Sequence, residues 1–180
     1  MDLILLQPGE PGLFDGLGLA PARGLIDALG PGPCIELVSM SQGMKQQVTT
    51  DVSAQSRASG RPIVTDITCV KYLDATSVRL YQYCLQARSL GVGPERPTLI
   101  HIARNSGDQP APILTIALRD ALVSEIQLQS HPDDMPTEQF KLNFTEILWT
   151  YTVQTTSEQA GKVSAGWSVA RNRPIVAFTP

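Results

Sequence analysis

The sequence predicts a mainly β protein, a barrel or sandwich of packed antiparallel sheets with one α-helix docked on it. Three observations carry this. Alternating, β-branched runs fill residues 98–154, Gly, Pro, Asn and Asp separate them at short intervals, and only one segment holds a full set of helix signals. No internal repeat is visible, and 180 residues with 42% hydrophobic content fit a single domain over residues 1–180.

In chain order, the apolar run Leu3–Leu6 is far too short for a signal-peptide core or a membrane span. Residues 8–33 hold seven of the fourteen glycines and five of the fourteen prolines, which predicts a long loop with at most a helical turn at 25–29. "CIELVSM" predicts a strand over 34–40. Residues 42–61 are rich in Gln, Ser and Thr and predict a second long loop. "IVTDITCVKYL" reads as one strand, with Asp66 and Lys71 on an exposed face. The helix follows in "DATSVRLYQYCLQARSLG". Asp74, Thr76 or Ser77 caps it, Val78, Tyr81, Cys84 and Leu85 form its apolar stripe, and Gly91 and Gly93 stop it.

The remaining segments read as strands. "TLIHIAR" covers 98–104, and 113–129 form two strands or one bent about 119–121. In residues 139–154, Phe140, Leu142 and Phe144 share one face. Past Glu146 both faces turn apolar, with Leu148 on one and Ile147, Trp149, Tyr151 and Val153 on the other. A strand apolar on both faces needs two covers, its own core and something else. A second subunit is the simplest second cover, so Ile147, Trp149, Tyr151 and Val153 are the subunit-interface candidates.

The chemistry the sequence leaves out is as informative. Seventeen acidic and fourteen basic side chains are scattered without runs, which argues against a nucleic-acid partner. Three cysteines without a C-x-x-C pair suggest neither a disulfide framework nor a zinc site, and point to a reducing cytoplasm. Of two histidines, His101 reads as a structural residue in a strand and His131 as solvated. Neither sits in a nucleophile motif. Asp133 and Asp134 read as turn material beside Pro132 and Pro136. No catalytic, cofactor-binding or metal-binding residue is expected. A small-ligand barrel, a hydrolase and a monomeric binding module are the rival classes, and solution mass separates them from an oligomer.

Several segments, in order, resemble the Hcp tube proteins of bacterial type VI secretion systems: "IELVSMSQGM", "ASGRPIVTDITCVKYLDATSVRLYQYCLQA" with its K-x-[LI]-D step into the helix, "LTIALRDALVSEIQLQS", "AGWSVARNR" and, most specific, "PTEQFKLNFTEILWTYT". The resemblance covers about residues 35–173. Residues 8–33 and the tail "PIVAFTP" depart from it. It implies a phage tail-tube-like barrel of two sheets plus one helix, built into hexameric rings that stack into a tube. The implied partners are a VgrG-type spike, a contractile sheath and effector proteins, with no membrane insertion. It further implies cytoplasmic assembly followed by secretion without a signal peptide, Ser39 and Ser41 as lumen-facing candidates, and an inter-ring role for the 42–61 loop.

Overall fold

The computed structural model describes residues 2–18, 32–50, 60–105, 110–152 and 161–180. Thirteen strands and one helix are found among them. A seven-stranded sheet is built from β1 (Asp2–Gln7), β2 (Ile35–Leu37), β7 (Thr98–Asn105), β8 (Pro110–Arg119), β11 (Glu146–Thr152), β12 (Lys162–Ser168) and β13 (Arg173–Ile175), in the order β13-β12-β11-β8-β7-β1-β2. A four-stranded sheet holds β3 (Ser39–Ser41), β6 (Ile67–Tyr72), β10 (Thr137–Asn143) and β9 (Leu122–Gln129), in the order β3-β6-β10-β9. A small ribbon pairs β4 (Met44–Lys45) with β5 (Ile63–Val64). Every pairing is antiparallel. The ladders do not close into one barrel among the described residues, since β2 and β13, and β3 and β9, remain as edges.

Three corners pass the chain from one sheet to the other; two split a predicted strand, and the third is the break expected about 119–121. β2 turns into β3 at Val38, whose N–H donates to the Val70 carbonyl. β8 turns into β9 at Asp120, where φ is +52°. Asp tolerates this left-handed conformation better than most residues, and its carboxylate is used at once. Oδ1 accepts from the Gly93 N–H at 2.8 Å and Oδ2 from the Thr145 hydroxyl at 3.1 Å. β10 turns into β11 at residues 144–145, so the predicted single strand over 139–154 is two strands in different sheets.

The core lies between the two sheets. Leu6, Ile100, Ile116, Leu118 and Ile147 from one sheet face Ile67, Cys69, Val123, Phe140 and Leu142 from the other. The helix α1 (Ser77–Leu85) adds Leu80 and Tyr83, and a 3₁₀ turn at Pro11–Phe14, unforeseen from the sequence, adds Leu13.

Three expectations are corrected here. The buried face of α1 is Ser77, Leu80 and Tyr83, with Cys84 beside it, while Val78 is 64% and Leu85 87% exposed. The helix stops at Ala87, which takes φ +50°, with the Arg88 N–H returning to the Tyr83 carbonyl at 2.9 Å. Gly91 serves packing instead: a β-carbon there would overlap the Arg96 carbonyl. The predicted loop over 42–61 begins as the β4–β5 ribbon, and its residues 51–59, like the turn expected at 25–29, lie outside the described residues.

Candidate functional site: the open faces of the two sheets

Along β11 the side chains of one face leave the protein's own core step by step. Ile147 has no accessible surface, Trp149 is half-buried against the core, and Tyr151 is 46% exposed. In register beside them on β12 stand Trp167, Ala165 and Val163, the last 64% exposed. The ribbon leans over this face and leaves a groove of about 550 Å³ between Met44, Ile63 and Val64 on one side and Trp149, Ala165 and Trp167 on the other. The Trp149 indole N–H reaches the Gln42 side-chain carbonyl at 3.3 Å. The interface candidates therefore divide. Ile147 is covered by its own core and offers nothing to a partner, Trp149 and Tyr151 lie on the emerging face, and Val153 lies outside the described residues.

The outer face of the four-stranded sheet is polar. Two cross-strand rows define it: Ser39, Val70, Gln139, Gln127, and Ser41, Thr68, Lys141, Glu125. Both candidate serines are exposed, while Met40 between them points inward against the core. The charged groups on this face have local partners. The Lys141 ammonium lies 2.6 Å from Glu125, and Asp66 accepts from the Ser124 hydroxyl at 2.6 Å and the Asn143 amide at 2.8 Å.

Lys71 is the largest correction. Instead of marking an exposed face it is fully buried, and its ammonium contacts Glu138 at 2.7 Å, Asp74 at 2.9 Å, the Ser77 hydroxyl at 3.0 Å and the Tyr72 carbonyl at 2.9 Å. The Ser77 hydroxyl and the Tyr81 phenol donate to the two oxygens of Glu138 at 2.7 and 2.8 Å. Burial, with Glu138 alongside, pushes the Tyr81 phenol up to about 12. Ser77, Lys71 and Glu138 together have the residue types of a nucleophile with its base, but all three are sealed from solvent, so no substrate reaches them. The cluster anchors the start of α1. Asp74 also accepts from the Thr76 N–H at 2.7 Å, and the Ser77 hydroxyl takes the Asp74 N–H at 3.1 Å.

His101 is 3% exposed, between the Thr115 hydroxyl and the Gln7 side-chain oxygen, each at 3.2 Å, and burial lowers its pKa. His131 is exposed beside Gln129, and Asp133 sits in a turn with φ +69°. Among the described residues no group of three or more His, Cys, Asp or Glu could hold a metal ion, and no helix is long and apolar enough to cross a membrane.

One cluster had no signal in the sequence. Glu146, at the start of β11, accepts from the Thr179 N–H at 2.9 Å, the Thr179 hydroxyl at 2.8 Å and Arg119 at 3.2 Å. Burial alone would raise the Glu146 pKa; these donors and Ser168 outweigh it and bring it down to about 2. The tail that departs from the family pattern is thus tied to two strand ends.

Comparison with known proteins agrees with this architecture. The chain is similar to a solved structure of a type six secretion system protein, with a TM-score of 0.75 and 18% identity over 97% of this chain and 100% of that one. It is similar to Hcp1 from Salmonella typhimurium, with a TM-score of 0.68 and 18% identity over 97% and 99% of the two chains. A type VI secretion system effector from Yersinia pestis gives 0.63 and 17% over 92% and 99%. At these identities the likeness shows the fold. No curated protein matches the sequence. Membership rests on the family model for the type VI secretion system effector Hcp, which matches residues 32–151, from just before β2 to the end of β11. That span takes in both open faces except β12 and β13, and the chain belongs to the Hcp family of type VI secretion tube proteins.

Proposed function

We propose that this chain builds the tube as closed rings of six copies, which stack and carry effector proteins to a target cell. The observation that carries the reading is the face of β11 and β12 where Trp149, Tyr151 and Val163 emerge from the core with too little of their own chain to cover them. The open edges β3 and β9 belong to the same sheet, and a closed ring is the arrangement in which both of these edges of every copy meet a neighbour. The outer face of that sheet, with Ser39 and Ser41, then lines the lumen. Its hydroxyls, amides and locally partnered charged groups suit a wet passage that holds cargo without trapping it. Contacts to spike and sheath, assembly in the cytoplasm and export without a signal peptide follow from the same reading. The chain itself acts as a structural part, without catalysis.

Light scattering coupled to size exclusion tests this. The expected mass is about six times the 19.5 kDa chain. Tyr151→Asp with Val163→Asp, both at exposed positions, leaves the fold intact and lowers the mass toward one chain. A clean monomer for the unaltered protein at micromolar concentration overturns the reading.

A further inference from the structure

A second groove, of about 370 Å³, lies away from the faces described above, where the edge strand β2 meets the loop leading into α1. Leu3, Leu37 and Val38 supply an apolar wall, and Tyr72, 49% exposed, supplies an aromatic one. Two carboxylates stand at it from opposite elements, Glu36 on β2 and Asp74 before the helix. Among the described residues no lysine or arginine lines the groove. Lys71 lies beneath Asp74 but does not cancel this charge, because it faces two carboxylates, Glu138 and Asp74, and one negative charge remains. The bonds to Asp74 from Lys71 and Thr76 all fall on Oδ1, and Glu36 has no ion-pair partner among the described residues.

We infer that this groove takes an arginine or lysine side chain from a protein partner. The argument is complementarity of each part. A long basic side chain lays its methylene stem on an apolar wall, places its head against an aromatic ring, and brings its charge to carboxylates. An acidic side chain meets two like charges here, and a purely aliphatic one leaves Glu36 and Asp74 unused. The inference does not depend on ring formation or on the polar lumen face.

The full-length protein, labelled at its isoleucine, leucine and valine methyl groups, tests it by titration with acetyl-Ala-Arg-Ala-amide and with the same peptide carrying neutral citrulline in place of arginine. The Arg peptide is expected to shift the Leu3, Leu37 and Val38 methyl signals saturably, and to bind roughly tenfold more tightly than the citrulline peptide, the scale of one exposed cation–π contact plus one surface ion pair. Glu36→Gln, an exposed position, is expected to narrow that difference without changing the melting temperature, and Tyr72→Ser to weaken the Arg peptide. Equal binding of the two peptides, no saturable shift, or undiminished discrimination in Glu36→Gln overturns the proposal. Shifts of the same methyl signals with protein concentration alone, abolished by Glu36→Lys, assign the groove to a second copy of this chain and also overturn it.

Discussion

Lys71 shows why charge is a poor guide to exposure in a strand. It occupies the same face as Ile67 and Cys69, four and two positions back, so alternation alone places it inward. Its partner Glu138 lies directly across the ladder on β10, a pairing that only the register reveals. Removing one member of such a pair strands the other. Lys71→Met is expected to cost about 3–5 kcal/mol in urea unfolding, and the double change Lys71→Met with Glu138→Leu to recover most of it. Equal losses in the single and double variants would contradict the coupling. Glu146 gives a pH-dependent counterpart. Its folded pKa, about 2, lies below its ordinary 4.5, so its stabilisation is fully present above about pH 4.5 and is lost as pH falls toward 2. The stability gap between the unaltered protein and Glu146→Gln should therefore be largest near pH 6 and shrink in acid, as followed by urea midpoints. The residue-scale candidates Ser39 and Ser41 rest on the resemblance, and both are exposed on the polar sheet face.

At the scale of elements, the helix and most strand runs were legible, because period and turn residues act locally. The buried side of the helix was not. Val78, Tyr81 and Leu85 keep a helical spacing as good as that of Ser77, Leu80 and Cys84, and what decides between them is where the 3₁₀ turn and β9 happen to lie. Leu80→Ala is expected to cost about 2–5 kcal/mol, whereas Leu85→Ala should stay within roughly 0.5 kcal/mol. Thermal unfolding of the two variants side by side is the measurement, and the opposite ranking would restore the other stripe. The corners were legible only in part. "LRDAL" announced one through its Asp, but nothing polar marks Val38, and the corner at 144–145 hides inside "NFTE", which reads smoothly as strand. β11 carries the same lesson: its double apolarity was real, but half of the cover came from its own chain.

For the molecule as a whole, the sequence resemblance reached the family, which periodicity could not, while contacts between segments distant in the chain left no local trace. The ribbon is the clearest case. Arg61 at its base donates to the Val169 and Ala170 carbonyls, and Thr65 and Gly43 exchange bonds of 2.9 and 3.0 Å, so the ribbon is tied to the turn after β12. Replacing residues 48–56 with a short Gly/Ser linker is expected to leave the hexamer and its melting temperature nearly unchanged, since loop length itself costs little. The same change should abolish stacking into tubes, visible by electron microscopy, and secretion into the medium. Normal secretion by such a variant would assign ring-to-ring contacts elsewhere.

The position of β1 has a kinetic consequence. The strand lies inside the seven-stranded sheet, yet it pairs Asp2 with Arg104 and Leu6 with Ile100, partners more than half the chain's length away. On a ribosome the apolar run Leu3–Leu6 is made well before β7 and has only the three-residue β2 to pair with until then, while the hairpins that follow can zip as they appear. Loop closure over such a separation is slow, and an unpaired apolar strand is an invitation to the wrong neighbour. A chain interrupted before Thr98 would keep that strand with only the short β2 beside it and its other edge open, and is expected to aggregate rather than accumulate as a soluble fragment.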